Sequence, residues 1–126
     1  MGDLRTPLSR VKGLGSAGDG TSHFWHQRLT ALLMIPLVLW VAFSIAALPS
    51  EHATLVDWVQ HPMVTVGLVL LVSAVFYHAQ LGLQVVIEDY IASHARRILV
   101  LLVSNLLCLL LGTIGVISVL KISFGA

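Results

Sequence analysis

The sequence predicts an all-α membrane protein, three transmembrane helices forming one part of a larger helical bundle, and three observations predict it. Of its 126 residues 57% are hydrophobic and 10% charged, against roughly a quarter charged in soluble domains. The mean hydropathy is +0.93. The apolar residues gather in three runs, each near the roughly 20 residues that a helix needs to cross a hydrocarbon core of about 30 Å.

Residues 1–21 are polar and glycine-rich, with Arg5, Arg10 and Lys12 ahead of Gly13, Gly15, Gly18 and Gly20. Nothing there buries a core, so a mobile cytoplasmic arm is expected before an anchor domain at 22–126. Gly13, Gly15 and Gly18 spell GxGxxG, but no hydrophobic strand precedes them and no acidic residue follows at the spacing a dinucleotide site needs. The match is read as chance. With no apolar h-region in the first two dozen residues, the first span itself is expected to direct insertion.

Thr21 or Ser22 is expected to cap the first helix through a side-chain oxygen. Its apolar run, 29–48, contains Pro36, a residue that neighbouring helices make tolerable in a membrane; a kink is expected there. Pro49 and Ser50 end the span, and Glu51 to His61 reads as a short polar connection with Trp58 at the interface. Pro62 suits the first position of a second helix, where its missing amide costs nothing. The second apolar run, 63–87, stops at Glu88 and Asp89. Tyr90 to Arg97 reads as a tight polar turn before the third run, 98–120, which closes at Lys121.

Basic residues set the orientation. Six of the seven, Arg5, Arg10, Lys12, Arg28, Arg96 and Arg97, fall before the first span or between the second and third, and only Lys121 lies on the other side. The N-terminus is therefore expected in the cytoplasm and the C-terminus in the periplasm. A net charge of +1 without a basic stripe gives no reason for nucleic acid. Cys108, the single cysteine, is read as packing.

His78 is the one ionisable residue well inside an apolar run. Such residues face a bundle interior and mark functional sites, because an unpartnered polar group in hydrocarbon is costly. Two readings stand: a histidine hydrogen-bonded to a neighbouring helix, or an axial ligand of haem iron, since a neutral imidazole nitrogen ligates well. Gly67, Leu71, Ala74, His78, Gly82, Val85 and Asp89 share one side of the helix, and the small Ala74 and Gly82 leave a groove beside the imidazole. Close helix packing explains small residues equally well. His52 and His61 lie on the first loop, and His23, His26 and His94 at the cytoplasmic boundary. A second ligand for six-coordinate iron would then come from another chain.

Glu88, Asp89 and Tyr90 lie roughly 18 Å along the helix from His78 at about 1.5 Å per residue, which makes them a separate site. Two readings are open: loop residues whose acids oppose the helix dipole, offset by Arg96 and Arg97, or a pocket that hydrogen-bonds a quinone carbonyl and handles protons. His23 and His26 show no third metal ligand and read as interfacial residues. Arg28, at the edge of the first span, suits a carboxylate such as a haem propionate.

The run His78-Ala-Gln-Leu-Gly82-Leu-Gln84-Val-Val-Ile-Glu-Asp89-Tyr90 resembles the signature of the hydrophobic membrane anchor of succinate dehydrogenase (respiratory complex II). The arm from Arg5 to Ser16 and the segment His23-Phe-Trp-His-Gln-Arg28-Leu-Thr are similar to alpha-proteobacterial members. The resemblance implies a non-autonomous component of succinate:ubiquinone oxidoreductase in the bacterial inner membrane. It implies that His78 ligates the iron of a b-type haem shared with a second membrane anchor, a polypeptide of cytochrome b type. Asp89 and Tyr90 would border the site where ubiquinone is reduced, and Arg28 would lie near the haem propionates or the quinone pocket. FAD and iron–sulfur clusters would belong to the flavoprotein and iron–sulfur partners, docked on the cytoplasmic face.

Other classes are weighed beside this one. A non-catalytic membrane scaffold, or a fumarate reductase anchor without haem, predicts a merely packed His78. A small transporter usually carries an acid within a span, and none of the six acids here lies deep in one.

Overall fold

The computed structural model describes residues 20–125. Most of the expected arm at 1–21, with its GxGxxG spacing, lies outside the described residues. Four helices follow one another: α1, Gly20–Ala47; α2, His52–Gln60; α3, Pro62–Tyr90; and α4, His94–Ser123. Three of them, α1, α3 and α4, are long and apolar enough to cross a membrane. At about 1.5 Å per residue the 28 to 30 residues of these helices span more than 40 Å, so each runs past its apolar core into the headgroup layers. The sequence-derived spans 29–48, 63–87 and 98–120 sit within them, save that Leu48 falls one residue beyond α1.

Three details differ from the sequence reading. Thr21 and Ser22 lie inside α1 rather than capping it, because the helix already begins at Gly20 and both residues fall within its first turn. The segment read as a connection contains α2. Its half-buried residues Thr54, Leu55, Val56, Trp58 and Val59 form one face at helical spacing, and it packs on α3 and α4. The loop read as Tyr90 to Arg97 is only Ile91 to Ser93, with Arg96 and Arg97 in the first turn of α4. Basic residues oppose the dipole at a helix start; Arg97 offsets this by donating from Nε to the Ile91 carbonyl at 2.9 Å, pinning the short loop.

Pro62 occupies the first turn of α3 as expected. The residue before a proline is driven out of the α region, and His61 is extended (φ −64°, ψ 125°), which separates α2 from α3 by one residue. Helix α1 continues through Pro36.

Helix α3 is central: it packs against both α1 and α4, which do not pack on each other. Among the described residues the buried ones, Val64, Thr65, Ala74, Leu81 and Ile87, all belong to α3. Glycine permits the close approach. A β-carbon on Gly67 would stand 2.7 Å from the Trp40 ring of α1, and one on Gly115 of α4 would stand 2.9 Å from Val72 Cγ1. At the end of the bundle away from the N-terminus, Thr65 Oγ1 lies 2.8 Å from Ser123 Oγ, Gln60 donates to the Ile122 carbonyl, and the Trp40 and Trp58 rings meet at 5.8 Å. Most large apolar side chains of α1 and α4 remain exposed. In a membrane that surface meets lipid or other polypeptides.

Candidate functional site

Polar side chains enter the α1–α3 seam at one level. On α1, His23, Gln27 and Thr30 follow one another at helical spacing and are half-buried, whereas their neighbours Phe24, Trp25, His26, Arg28 and Leu29 face outward. On α3, Ala74, His78 and Leu81 line the opposing face, with Ala74 and Leu81 buried and His78 half-buried.

Both ring nitrogens of His78 meet α1. Thr30 Oγ1 lies 2.9 Å from His78 Nδ1, and Gln27 Nε2 lies 3.3 Å from His78 Nε2. Thr30 Oγ1 is also 2.8 Å from the His26 carbonyl and 3.1 Å from the Gln27 carbonyl. A hydroxyl has one proton to give; directed at a carbonyl one turn back, it leaves the oxygen to accept from His78 Nδ1–H. An amide nitrogen only donates, so Gln27 requires His78 Nε2 to accept. The two contacts select the same tautomer, protonated at Nδ1 with the lone pair on Nε2.

Two polar atoms of this seam, His23 Nε2 and Gln27 Oε1, are buried without a hydrogen-bond partner among the described residues. Gln27 Nε2 lies over Gly82, 3.7 Å from where a β-carbon would sit. One step around the two helices, His26 and Tyr77 meet edge to face with ring centroids 6.1 Å apart. His78 is therefore level with the start of the apolar run of α1, nearer the N-terminal side of the membrane than its middle.

The remaining sequence-derived candidates are placed as follows. Asp89 and Tyr90 end α3 and are exposed, Tyr90 at 85%. Tyr90 borders a shallow groove of about 470 Å³ with Ile91, Ala92, Arg96, Leu99 and Val100. One side chain nearby is already engaged, since Glu88 accepts from Gln84 Nε2 at 2.9 Å. Arg28 is exposed and lies over the Phe24 ring at 5.2 Å, off the face that meets His78. Cys108 lines a trough between α3 and α4 with Gly112 and Phe76. Among the described residues no three His, Cys, Asp or Glu side chains gather as a ligand set.

Gln27 and Thr30 were not singled out by sequence reasoning. The available signal was their spacing with His23: three polar residues at i, i+4 and i+7 trace one stripe at the start of an apolar helix.

Comparison with known proteins places the chain among membrane anchors. Residues 2–114 match the family described as the succinate dehydrogenase/fumarate reductase transmembrane subunit. The chain is 34% identical over 96 residues to the succinate dehydrogenase hydrophobic membrane anchor subunit of Rickettsia bellii (strain RML369-C), covering 75% of this chain and 77% of that one. It is 30% identical over 109 residues to the protein of the same description from Rickettsia conorii, covering 85% and 86%. The Paracoccus denitrificans relative is 28% identical over 95 residues, covering 73% and 72%. No solved structure matches the chain.

Proposed function

Because the chain belongs to the succinate dehydrogenase/fumarate reductase transmembrane subunit family, we propose that it shares a b-type haem with a second membrane anchor through His78 and helps build a ubiquinone-reducing site with Asp89 and Tyr90. The membrane anchor role itself follows from the family and from three helices able to span the bilayer.

The observation that carries the haem reading is the contact of the Thr30 hydroxyl with His78 Nδ1, which leaves Nε2 as the ligating nitrogen when Nδ1 donates. A metal-bound histidine usually donates its other N–H to an oxygen, which fixes the ring and leaves the ligating nitrogen bare of hydrogen. Thr30 meets His78 Nδ1 in that way at 2.9 Å. The seam fits the group further in that His23 Nε2 and Gln27 Oε1 are buried and lack partners among the described residues. His78 would hold the iron through Nε2, with Gln27, a long and flexible side chain, swinging aside. A second histidine to hold the haem would come from the partner anchor. When bound, the haem supplies a one-electron redox centre in the membrane.

At the end of α3, Tyr90 would donate its phenolic proton in a hydrogen bond to a quinone carbonyl oxygen. Asp89 would take protons from the aqueous phase and deliver them as the quinone is reduced; two electrons and two protons convert ubiquinone to ubiquinol. The electrons would come from succinate through the flavin and iron–sulfur clusters of the soluble partners. Arg28, exposed at the same end of the bundle, would pair with a haem propionate or line the quinone pocket. The basic residues Arg28, Arg96 and Arg97 favour a cytoplasmic position for this end and for the N-terminus, in a bacterial inner membrane. Purification of the complex in mild detergent tests the whole reading: co-purifying flavoprotein, iron–sulfur and second anchor polypeptides with a reduced b-type absorbance support it, and an assembled complex without that absorbance refutes the haem assignment.

A second reading has its own observation. Both His78 nitrogens already have partners on α1, as a purely packing histidine would. It predicts a haem spectrum indifferent to His78.

A further inference from the structure

Resting on the haem reading above, we propose that Thr30 is a positioning residue: its hydroxyl holds His78 Nδ1–H, fixing the imidazole's rotation and tautomer and raising the electron-donating power of Nε2 toward iron.

The geometry sets this role apart from ordinary helix packing. Thr30 Oγ1 sits 2.9 Å from His78 Nδ1 while lying 2.8 Å and 3.1 Å from two carbonyls of its own helix. That back-bonding is common for threonine in helices, and it has a consequence here. With its proton on a carbonyl, the hydroxyl turns a lone pair toward the histidine and is a committed acceptor. Hydrogen bonds in a chain polarise one another, so the carbonyl makes the oxygen a better acceptor for Nδ1–H. A histidine that donates strongly from Nδ1 carries more electron density on Nε2. It therefore favours the ferric over the ferrous state of an iron held there.

The position of Thr30 on α1 also ties ligand orientation to the packing of α1 on α3. Ala74 is buried one turn from His78, and Gln27 holds the opposite edge of the ring. Those neighbours restrain where the ring lies, and once Gln27 swings aside for iron the Thr30 oxygen is the group left to hold the proton on Nδ1.

The test uses the intact complex purified with Thr30→Val, which keeps the side-chain shape and removes the hydroxyl; with Thr30→Ala, which a helix accepts readily; and with Thr30→Ser, which keeps the hydroxyl. Three readouts are the haem midpoint potential, the low-spin electron paramagnetic resonance signature, and the rate of haem loss to an external haem acceptor. Val and Ala are expected to raise the midpoint potential, alter the low-spin g-values and speed haem loss about tenfold, the lower end of what outer-shell substitutions cost a metal site. Ser is expected to restore all three. A parent complex with a b-type haem whose Val and Ala variants match it overturns the role of Thr30 and leaves the ligand assignment standing. A parent complex without haem overturns both.

Discussion

Thr30 Oγ1 of α1 stands 2.9 Å from Nδ1 of His78 of α3, a contact between two helices across 48 residues of sequence. Farther along the same antiparallel seam, the Trp40 ring stands 2.7 Å from where a β-carbon of Gly67 would be. The seam is thus set at two heights, by a polar contact near the N-terminal end and by a steric one beyond the middle. The first carries the chemistry proposed for this protein, and the second fixes the helix separation on which it depends.

Gly67→Leu is expected to destabilise the seam. The new side chain has no room against Trp40, and overpacking of this kind typically costs about 1–3 kcal/mol. Thermal unfolding of the purified complex should show a lower transition temperature, and adding Trp40→Ala should recover part of the loss. An unchanged transition in the single variant would contradict the packing described.

Asp89→Asn is expected to slow ubiquinone reduction by about a hundredfold, the lower end of what a proton-transfer group contributes to rate, and Tyr90→Phe by about tenfold, the scale of one lost hydrogen bond. Electron transfer from succinate to an artificial acceptor that takes electrons ahead of the membrane should remain. Wild-type ubiquinone reduction in both variants would remove these residues from the quinone site.

Orientation yields a prediction free of catalysis. With Cys108 replaced by alanine, a single cysteine at Ser93 should react with a membrane-impermeant thiol reagent only when the cytoplasmic face is open. A single cysteine at Ala53 should react from the periplasmic face. Labelling from the opposite sides would invert the topology drawn from the arginines.

How much of this was legible in the sequence depends on what each residue answers to. The three spans follow from apolar runs of membrane length, and the start of α3 follows from Pro62, because the bilayer and the proline ring act locally. His78 stood out because a histidine in an apolar run needs a partner. Its partners did not stand out, because Gln27 and Thr30 lie where the apolar run begins and polar residues there also read as interfacial. Only the pairing of α1 with α3 brings them to His78. Helix α2 was hidden for a related reason: nine residues with Asp57 among them look like a loop until packing on α3 and α4 half-buries Leu55, Val56 and Val59. Resemblance to a known membrane anchor foretold the family, which the match over residues 2–114 then showed.

Arg28→Ala is expected to leave helix packing intact, since the guanidinium lies over an exposed Phe24 ring off the His78 face. If Arg28 pairs with a propionate or lines the quinone pocket, the variant should either shift the haem midpoint potential or raise the KM for ubiquinone severalfold. Neither change, in an assembled complex, would return Arg28 to a purely interfacial role.

The most direct measurement is the dithionite-reduced minus oxidised spectrum of the assembled complex carrying His78→Ala. The b-type absorbance should disappear, or shift to that of iron lacking one imidazole, while flavin and iron–sulfur content stay at wild-type levels. An assembled variant with the wild-type b-type spectrum would contradict the assignment of His78 as the ligand that this chain brings to the shared haem.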